Sequence, residues 1–432
     1  MTAQFTPQFA SIDDANRAVA SVLGSGEPVL LDVVQARTVI DVLAGDRPTL
    51  LHAGPPIAYG AAIPPMQGSC VGAVLFEGWA KDEAAARELL ASGAVALVPC
   101  HSVGAVGPMS GIISPHMAVV VVENRVTGNR AYSTMNEGIG RVLRFGAFDA
   151  EVRDRLAWMR DVLGVALSAA LHALDGGYPL APLMARAITM GDEFHQRNIA
   201  ASALFAQDMA PLLARAQLDL NTVFEVTDFL RRTDQFFLNL AMAASKAAAD
   251  AAQAIGEGSV VTAMTRNGVD FGIRVAGLGD RWFTAPVNTP QGLFFTGYDQ
   301  SQACPDVGDS AILETCGLGG MAMIAAPGVT RFVGAGGFDD ALAISEEMAE
   351  IVVGHNPAMP IPTWNYQGTV VGVDVRKVVQ TSITPVINTG IASLEPGVGQ
   401  IGAGTVRAPL ACFTQALKAL AARYGLADDE PR

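Results

Sequence analysis

The sequence predicts a mixed α/β and α+β multidomain fold: a layered α/β domain over residues 1–145, a mainly helical domain over 146–257 and an α+β domain over 258–432. Three observations support this prediction. Short apolar runs alternate with amphipathic stretches in the first third. Ala, Leu and charged residues recur at helical spacing in the middle. In the last third, short apolar runs are separated by Gly-rich turns.

The N-terminal segment alternates between the two kinds of element. Apolar periodicity and capping residues there predict a helix over 12–23, a strand over 28–34, a short helix ending at Leu43, a strand ending at His52, a helix in KDEAAARELLASG closed by Gly93, and buried strands over 71–76, 95–98 and 118–122. This alternation favours layers of helices on a sheet.

The other two segments carry clear boundary signals. Asp149 is placed to cap the first helix of the middle segment, and AMAASKAAADAAQAIG closes with Gly256 in a C-cap position. Asn267-Gly268 lies between two apolar runs, which is a strong β-hairpin signal. The string PLACFTQALKALAARYG predicts a terminal helix that begins near Pro409 and ends before Gly425.

Composition excludes several classes of protein. Of 432 residues, 50% are hydrophobic and 16% are charged, so disorder is excluded as the dominant state. A net charge of −14 argues against nucleic acid and anionic membrane surfaces as partners. The N-terminus lacks the features of a secretory signal, and Pro, Gly and His interrupt the long uncharged stretch over 89–122, so we expect a cytoplasmic protein. Five cysteines without a C-x-x-C suggest neither a disulfide framework nor a zinc site.

Familiar catalytic motifs are absent. The sequence contains no G-x-x-x-x-G-K-[ST], no G-x-G-x-x-G after a strand and no H-E-x-x-H. The segment around Cys70 does match G-x-C-x-G, the pattern of a nucleophile elbow. That turn must follow a strand and open a helix, whereas Pro64-Pro65 precede this one and a predicted strand follows. Cys70 is therefore interpreted as a small core residue.

The first candidate site is CHSVGAVGPMSGIISPH, a loop of small residues between two predicted buried strands. At Gly104, Gly107 and Gly111 no side chain keeps an anion from the backbone N–H groups, and His101 stands where the preceding strand ends. Two interpretations stay open: an anion-binding loop, or a crowded turn in which His101 is a hydrogen-bonded core residue.

The second candidate is NEGIGRVLRFG. If Gly138 begins a helical turn, Arg141 and Arg144 share one face and form a cationic fork suited to a carboxylate or a phosphate. The alternative is that both arginines are simply solvated on a surface helix.

The third candidate is MGDEFHQRN. Gly191 ends one predicted helix and Asp192 caps the next, which places His195, Arg197 and Asn198 in its first two turns. Capping explains the acidic residues at the start of this string but not the other three. His195 is able to donate or shuttle a proton near neutral pH.

The fourth candidate combines the Asn267 hairpin with DVGDSAILETCGLGG, in which three carboxylates fall within nine residues: Asp306, Asp309 and Glu314. They leave open a Mg²⁺ site, although the spacing matches no established ligand pattern. The local alternative is that Asp309 caps a short helix that Gly317 ends. No other cofactor is predicted.

Taken together with LHAGPPI, EGWA, FLNLAMAASK and GQIGAGTVRAP, these strings resemble the YlbE-like (AllG) family, long described as a domain of unknown function. The resemblance extends from about Leu51 to Pro409. It implies a subunit of oxamate carbamoyltransferase, which converts oxalurate and phosphate into oxamate and carbamoyl phosphate in allantoin degradation, a part of purine catabolism. It also implies FdrA-like and AllH-like partner subunits. The S-x-R-T phosphate loop of aspartate and ornithine carbamoyltransferases is absent, so this reaction would use a different site.

Phosphorolysis of oxalurate requires that a carboxylate and a phosphate be held side by side. We expect Arg141, Arg144 and Arg197 to bind these anions. Asn198 and the backbone N–H groups of residues 104–111 would assist them.

The reaction also needs a proton for the leaving nitrogen and stabilisation of charge on the ureido carbonyl oxygen. We expect His101 or His195 to supply the proton, and Arg266 and Asn267 to polarise the carbonyl. These expectations require that the residues meet in one cleft.

Two other functions remain open from the sequence. The chain would be a non-catalytic assembly subunit that binds the FdrA-like partner, itself similar to acyl-CoA synthetases, or a stand-alone acyl or carbamoyl transferase with another substrate. A homo-oligomer is compatible with either function.

Overall fold

The computed structural model describes residues 7–138 and 140–426. Within them, the α-helices are α1 Ile12–Gly24, α2 Asp41–Ala44, α3 Pro64–Phe76, α4 Glu83–Ala91, α5 Ala150–Trp158, α6 Gly164–Leu171, α7 Leu180–Thr189, α8 Ile199–Arg215, α9 Leu220–Arg232, α10 Phe236–Gln253, α11 Ile312–Thr315, α12 Pro327–Phe332, α13 Phe338–Glu350, α14 Val375–Thr381 and α15 Leu410–Arg423. A π-helical turn, Met159–Leu163, joins α5 to α6.

The strands are β1 Pro28–Gln35, β2 Thr49–His52, β3 Ala96–Pro99, β4 Ala105–Val106, β5 Ala118–Asn124, β6 Arg130–Thr134, β7 Tyr178–Pro179, β8 Val261–Asn267, β9 Asp270–Val275, β10 Phe283–Pro286, β11 Gln291–Phe294, β12 Val307–Gly308, β13 Val352–Ile361, β14 Gln367–Val373, β15 Val386–Ala392 and β16 Gln400–Arg407. The mixture of helices with several small sheets confirms the predicted α/β and α+β class.

The largest sheet lies in the N-terminal part and has the order β4-β6-β5-β1-β7. Its pairs are antiparallel apart from β4 with β6, and β1 pairs with β5 from Pro28 opposite Asn124 to Gln35 opposite Ala118. Helix α10 packs on β5 and β6, and α6 packs on β1. Strands β2 and β3 form a separate parallel pair. The long helix α10 thus crosses the sheet whose loops carry the first two candidate sites.

The C-terminal part contains three antiparallel units: the sheet β10-β9-β8-β12, the sheet β11-β16-β15 and the pair β13-β14. Helix α15 packs on β9 and β10, while α1 contacts α10, β13 and β14. The N-terminal helix is therefore built into the C-terminal part of the chain. In the described residues, no helix combines the length and apolarity needed to cross a membrane.

The two largest of four hydrophobic clusters in the described residues hold most of these elements. The larger contains residues from all three predicted segments, for example Val19, Leu167 and Phe413. The smaller lies around α3 and includes Met66 and Leu156. The domain boundaries near residues 145 and 257 stay a prediction, and apolar packing continues across them.

Most predicted elements are confirmed, including α1, β1, α4, the hairpin β8–β9 and α15. The predicted strand over 71–76 is wrong, because these residues form the second half of α3, which has prolines in its first turn. A short, fully buried apolar run has no periodicity to separate helix from strand. Gly68 lies so close to the backbone of Gly146 that a Cβ there would be 2.4 Å from its carbonyl oxygen. The helix thus needs a glycine at this contact.

Candidate active site

The loop after β6 holds Arg144 beside a cleft. The buried Glu137 carboxylate accepts the backbone N–H groups of Leu143 (2.6 Å) and Arg144 (3.1 Å), which folds the loop back on itself. The guanidinium donates from Nη2 to the carbonyl of Gly138 (2.9 Å) and lies over the Phe145 ring. Its Nη1 is buried and makes no hydrogen bond to any described residue. Burial lowers the pKa of Arg144, but the ordinary pKa of arginine is so far above 7 that the group still carries its charge at neutral pH.

The predicted helical turn at Gly138 is wrong. Residues 140–142, before the short 3₁₀ turn Leu143–Phe145, are not helical, since the Glu137 carboxylate takes the N–H groups that a helix would have used. Arg141 and Arg144 nevertheless line one cleft of about 440 Å³. The Arg141 side chain is 58% exposed and pairs with Asp149 at 2.7 Å. Arg141 and Arg144 therefore line the same cleft because a loop brings them together, and not because they are spaced along one face of a helix.

The rest of the cleft wall is mostly polar and comes from distant parts of the chain. It includes Asn136, Thr233, Gln235, Phe295 and Gln400. Carboxylate lining is limited to the exposed Asp234 among the described residues, so the two arginines leave the cleft cationic. This arrangement suits a small anion that carries amide groups.

The string around His195 is a loop and not the first turns of a helix, which corrects the prediction. Helix α8 begins at Ile199, although the Asp192 carboxylate still caps it by accepting the N–H groups of Ala200 (3.2 Å) and Ala201 (2.7 Å). Phe194 has φ of +75°, a conformation that side chains seldom adopt. Such strain is held by surrounding structure and often occurs at functional sites.

His195 forms a buried pair with Glu314. Its Nδ1 lies 2.6 Å from Glu314 Oε1, and the histidine side chain is 4% exposed. The same carboxylate oxygen accepts the N–H groups of Gly320 (3.0 Å) and Asn388 (3.2 Å). The second oxygen, Oε2, is buried without a hydrogen-bond partner in the described residues. The pairing fixes the imidazole with its Nδ1 toward the carboxylate.

A second buried carboxylate, Glu193, holds the loop in place. It accepts the N–H groups of His195 (3.1 Å) and Arg197 (2.7 Å) and the side-chain amide of Asn388 (3.1 Å). Burial raises the pKa of Glu193. Asn388 therefore joins the two carboxylates that surround His195.

The His195 loop is attached to the wall of the cleft. Asn198 Nδ2 donates to Gln235 Oε1 (3.0 Å), and Gln235 Nε2 donates to the Gln196 carbonyl (2.6 Å). Arg197 turns elsewhere, with Nε 3.3 Å from Asp192 and the side chain 41% exposed. Gln235 thus links Gln196 and Asn198 of this loop to the cleft of Arg144. His195 is not among the described residues that line this cleft, and Arg197 pairs with Asp192.

His101 lies in a separate buried cluster. Its Nε2 is 3.5 Å from Asp309 Oδ1, its ring meets Trp282 edge to face, and neither ring nitrogen has a hydrogen bond within the described chain. Burial, together with the charges of Lys246 and Arg274, holds the pKa of His101 well below its usual value. The ring is therefore neutral near pH 7.

Asp309 ties three loops together and caps no helix, so the predicted capping role is wrong. Its carboxylate accepts the N–H groups of Gly54 (3.0 Å) and Gly107 (3.0 Å) and the hydroxyl of Thr265 (2.5 Å). Burial raises the pKa of Asp309 to about 6. Gly317 does follow the short helix α11, with φ of +80°.

The glycine N–H groups expected to cradle phosphate are donated within the protein. Gly107 donates to Asp309, Gly111 donates to the Pro108 carbonyl (3.1 Å), and Gly104 donates to the Cys100 carbonyl. The loop still contacts the cationic cleft, because Ser110 N–H donates to the Arg144 carbonyl (3.3 Å).

Arg266 is fully buried and its donors are occupied. It pairs with Asp306 at 2.6 and 3.2 Å, and Nη1 donates to the Gly308 carbonyl (2.8 Å) and to Ser310 Oγ (3.1 Å). Nη2 also lies 3.4 Å from Thr389 Oγ1. These contacts make Arg266 an internal brace.

Asn267 closes the β8–β9 turn. Its Oδ1 accepts the N–H groups of Val269 (2.9 Å) and Asp270 (2.7 Å), and Nδ2 donates to the Pro55 carbonyl (3.0 Å). Both the oxygen and the nitrogen of its side-chain amide are thus hydrogen-bonded, and Asn267 does not line the cleft of Arg144.

The three carboxylates that left open a Mg²⁺ site do not converge. Asp306 pairs with Arg266, Asp309 accepts backbone N–H groups and Glu314 pairs with His195. Across residues 7–138 and 140–426, no group of three or more His, Cys, Asp and Glu side chains is placed to hold a metal ion. Cys70 lies in the buried middle of α3, where burial raises the pKa of the thiol to about 12.

Sequence reasoning missed Gln235, Asn388 and Gln400. Gln235 is the residue before α10 and carries no periodic signal. Asn388 offered a signal, since a single Asn in the apolar run PVINTGIA is a buried polar group that needs partners.

The fold and the cleft together define a layered, mixed α/β protein with a two-arginine cleft. A family model described as oxamate carbamoyltransferase subunit AllG matches residues 95–310. The oxamate carbamoyltransferase subunit AllG of Escherichia coli (strain K12) is 61% identical over 418 residues, 97% of this chain and 100% of that protein. The chain belongs to the AllG family.

Two further relatives have no function in their names. The uncharacterized protein YahG of Escherichia coli (strain K12) is 42% identical over 421 residues, 98% of this chain and 88% of that protein. The crystal structure of a conserved protein of unknown function from Enterococcus faecalis V583 matches with a TM-score of 0.92 and 43% identity, covering 95% of this chain and 98% of that one. The fold described above is therefore shared with a solved structure.

Proposed function

We propose that this chain is a subunit of a cytoplasmic carbamoyltransferase of the oxamate carbamoyltransferase type, acting with FdrA-like and AllH-like subunits in allantoin degradation. The observation that carries the proposal is its 61% identity over the full length of the Escherichia coli subunit AllG. The reaction is the conversion of oxalurate and phosphate into oxamate and carbamoyl phosphate. We further propose that the anions bind on this subunit, in the cleft of Arg144.

The cleft supports this location because it offers what the substrates require. Oxalurate carries one carboxylate followed by two carbonyl groups that alternate with two N–H-bearing nitrogens. Arg144 lines the cleft with a half-buried guanidinium whose Nη1 makes no hydrogen bond within the described chain, Arg141 adds a second cation, and Gln400 supplies an amide side chain. A guanidinium fork matches carboxylate and phosphate geometry, and burial strengthens the contact.

The chemistry balances without a covalent enzyme intermediate. A phosphate oxygen attacks the ureido carbonyl carbon, the bond from that carbon to the oxamate nitrogen breaks, and the leaving nitrogen takes one proton while hydrogen phosphate loses one. The protein has to orient the two anions, stabilise charge on the carbonyl oxygen and carry this proton.

His195 is the better proton carrier of the two predicted histidines. Its Nδ1 is held 2.6 Å from Glu314 Oε1, which fixes the ring orientation and leaves Nε2 as the nitrogen that takes the proton from phosphate and passes it to the leaving nitrogen. His101, in contrast, has a pKa held well below its usual value by burial and by neighbouring cations, so it rarely carries the proton to be donated. Arg266, Asn267 and the glycine loop act in this proposal by holding the surrounding loops.

The test is Arg144→Met, assayed with the FdrA-like and AllH-like subunits. A charge-assisted contact is worth about 1.5–3 kcal/mol, so kcat/KM for phosphate should fall by roughly one to two orders of magnitude. Arg160→Met is a matched control, because Arg160 is similarly half-buried, over the Phe76 ring, and pairs with Asp161 outside the cleft.

Calorimetry of the isolated chain with phosphate and with oxamate separates this proposal from an assembly role. Saturable binding that Arg144→Met abolishes and Arg160→Met keeps supports a site on this subunit. Undiminished activity of Arg144→Met, or anion binding only by the partner subunits, would place catalysis on another chain.

A further inference from the structure

A second cavity, a groove of about 780 Å³, lies between α5 and α9. Its apolar wall is formed by Trp158, Phe224 and Phe229, with the Trp158 and Phe229 rings 5.0 Å apart. Phe224 is 70% exposed, and Leu220, one turn earlier on α9, is 85% exposed. Large side chains this exposed on one helix face mark a surface that contacts another molecule.

The rim of the groove is acidic. It carries Glu137, Glu151, Asp154, Glu225 and Asp228 against two arginines, Arg155 and Arg232.

Several of these carboxylates are already neutralised. Asp228 pairs with arginines of its own helix and Glu151 pairs with Arg155. Asp154 and Glu225 have no cationic partner in the described part of the chain, and Glu225 accepts only the indole N–H of Trp158 (3.4 Å). Two carboxylates beside exposed aromatic rings form a site for a cation with an apolar neighbour.

We propose that this groove docks a segment of another subunit of the same enzyme, in which a lysine or arginine stands beside an aromatic or aliphatic residue. The inference rests on the proposed function, since it requires a multisubunit enzyme. The charge of the groove excludes the small anionic substrates as its occupants. A second copy of this chain, with a net charge of −14, is also disfavoured, because like charges would face each other.

The position of the groove supports a subunit contact. Gly138 and Thr233 line both the groove and the cleft of Arg144. The carbonyl of Gly138 also accepts the hydrogen bond from Arg144 Nη2. A segment docked in the groove therefore lies against the loop that holds the anion-binding arginine.

The experiment measures association of the purified chain with the purified FdrA-like and AllH-like subunits, by sedimentation velocity and by surface-immobilised titration. Glu225→Lys and Phe224→Ser should each weaken the association by about tenfold or more. Phe338→Ser and Glu346→Lys, both exposed on α13, are matched controls and should leave it unchanged. Wild-type affinity should fall with added salt, and Glu225→Gln should reduce that dependence.

Each outcome decides the proposal. Weakened association of the groove variants, with phosphate and oxamate binding by the isolated chain intact, supports it. Wild-type affinity in those variants overturns the docking surface and leaves the proposed function standing. Failure of the wild-type chain to bind either subunit overturns both the surface and the multisubunit assembly. A dimer of the isolated chain that Phe224→Ser dissociates would make a second copy the occupant and would also overturn it.

Discussion

Two arginines, the half-buried Arg144 and the fully buried Arg266, differ in how many of their donors the protein itself occupies. Arg266 has carboxylate, carbonyl and hydroxyl partners around its guanidinium and is fully buried. Arg144 donates to one carbonyl, and its Nη1, 3.8 Å from the Glu137 carboxylate, makes no hydrogen bond within the described chain. The lesson is that an arginine available to a substrate is recognised by its unused donors, and not by burial or by neighbouring glycines.

The largest effect expected from this comparison is on folding, at Arg266. Arg266→Met leaves the buried Asp306 without its cation, which should lower the free energy of unfolding by about 3–5 kcal/mol. Urea unfolding followed by circular dichroism measures it. Arg144→Met should cost far less stability, since backbone N–H groups still satisfy Glu137. Equal losses in the two variants would remove the distinction between brace and binding group.

The brace region, here Arg266 with Gly54, Asn267, Asp306 and Asp309 around it, should also be intolerant of a single methyl group at Gly54. Its φ is +91°, and a Cβ there would stand 2.4 Å from Asn267 Cβ and 2.5 Å from its backbone nitrogen. Overpacking and strain together should cost Gly54→Ala about 3 kcal/mol of stability. Gly78→Ala is the control, because Gly78 has φ of +71° with nothing within 4 Å, and should lose only about 1 kcal/mol. A Gly54→Ala protein as stable as this control would show that the two loops are not packed as described.

The free energy of unfolding should depend on pH through Asp309, a buried carboxyl in the brace region. Burial raises the pKa of this carboxyl from 3.8 to about 6, so between these values the folded chain binds a proton that the unfolded chain releases. The resulting stabilisation is present below pH 4 and is lost as pH rises through about 6, on the order of 2–3 kcal/mol. Asp309→Asn does not titrate. The difference in unfolding free energy between the two proteins should therefore change by this amount from pH 4 to pH 7, and parallel curves would contradict the shift.

The smallest effect is expected within the cleft, at Arg141. Its side chain is 58% exposed and already paired with Asp149, so solvent and that carboxylate weaken its pull on an anion. Arg141→Met should lower kcat/KM for phosphate by less than about tenfold, clearly less than Arg144→Met. Steady-state kinetics of both variants with the partner subunits test this order. The reverse order would move the anion site toward the exposed end of the cleft.

Much of the fold could be predicted from local signals in the sequence. The hairpin at Asn267, the capping by Asp149 and the terminal glycines depend on backbone preferences that act over a few residues. The strand predicted over 71–76 failed because a helix buried on every side lacks a polar face.

The site was harder to predict than the fold. Sequence patterns predicted Arg144 and His195 as site residues, a prediction that stays open, and nothing local indicated that Glu137 would replace a helical turn at Gly138. Whether Arg266 could bind a ligand also depended on Asp306, some forty residues away. The ion pair with Asp306 and the neighbouring hydrogen bonds occupy the donors of the guanidinium. The type of a residue shows which chemistry its side chain can perform. Whether a ligand can reach that side chain depends on hydrogen bonds and ion pairs with residues that are distant in the sequence.

The π-helical turn Met159–Leu163 joins α5 and α6 into one continuous helix, and the two halves of that helix pack in different hydrophobic cores. Leu156, before the turn, packs in the core around α3, while Leu163, after it, packs in the large core. A single extra residue in a helix rotates the downstream side chains by about 100°, which is the angle between successive residues. Deleting the exposed Asp161 would restore regular winding and force a choice between these two burials. If α6 kept its packing, Trp158 would rotate away from Phe229 on α9, and the wall of the acidic groove would change shape.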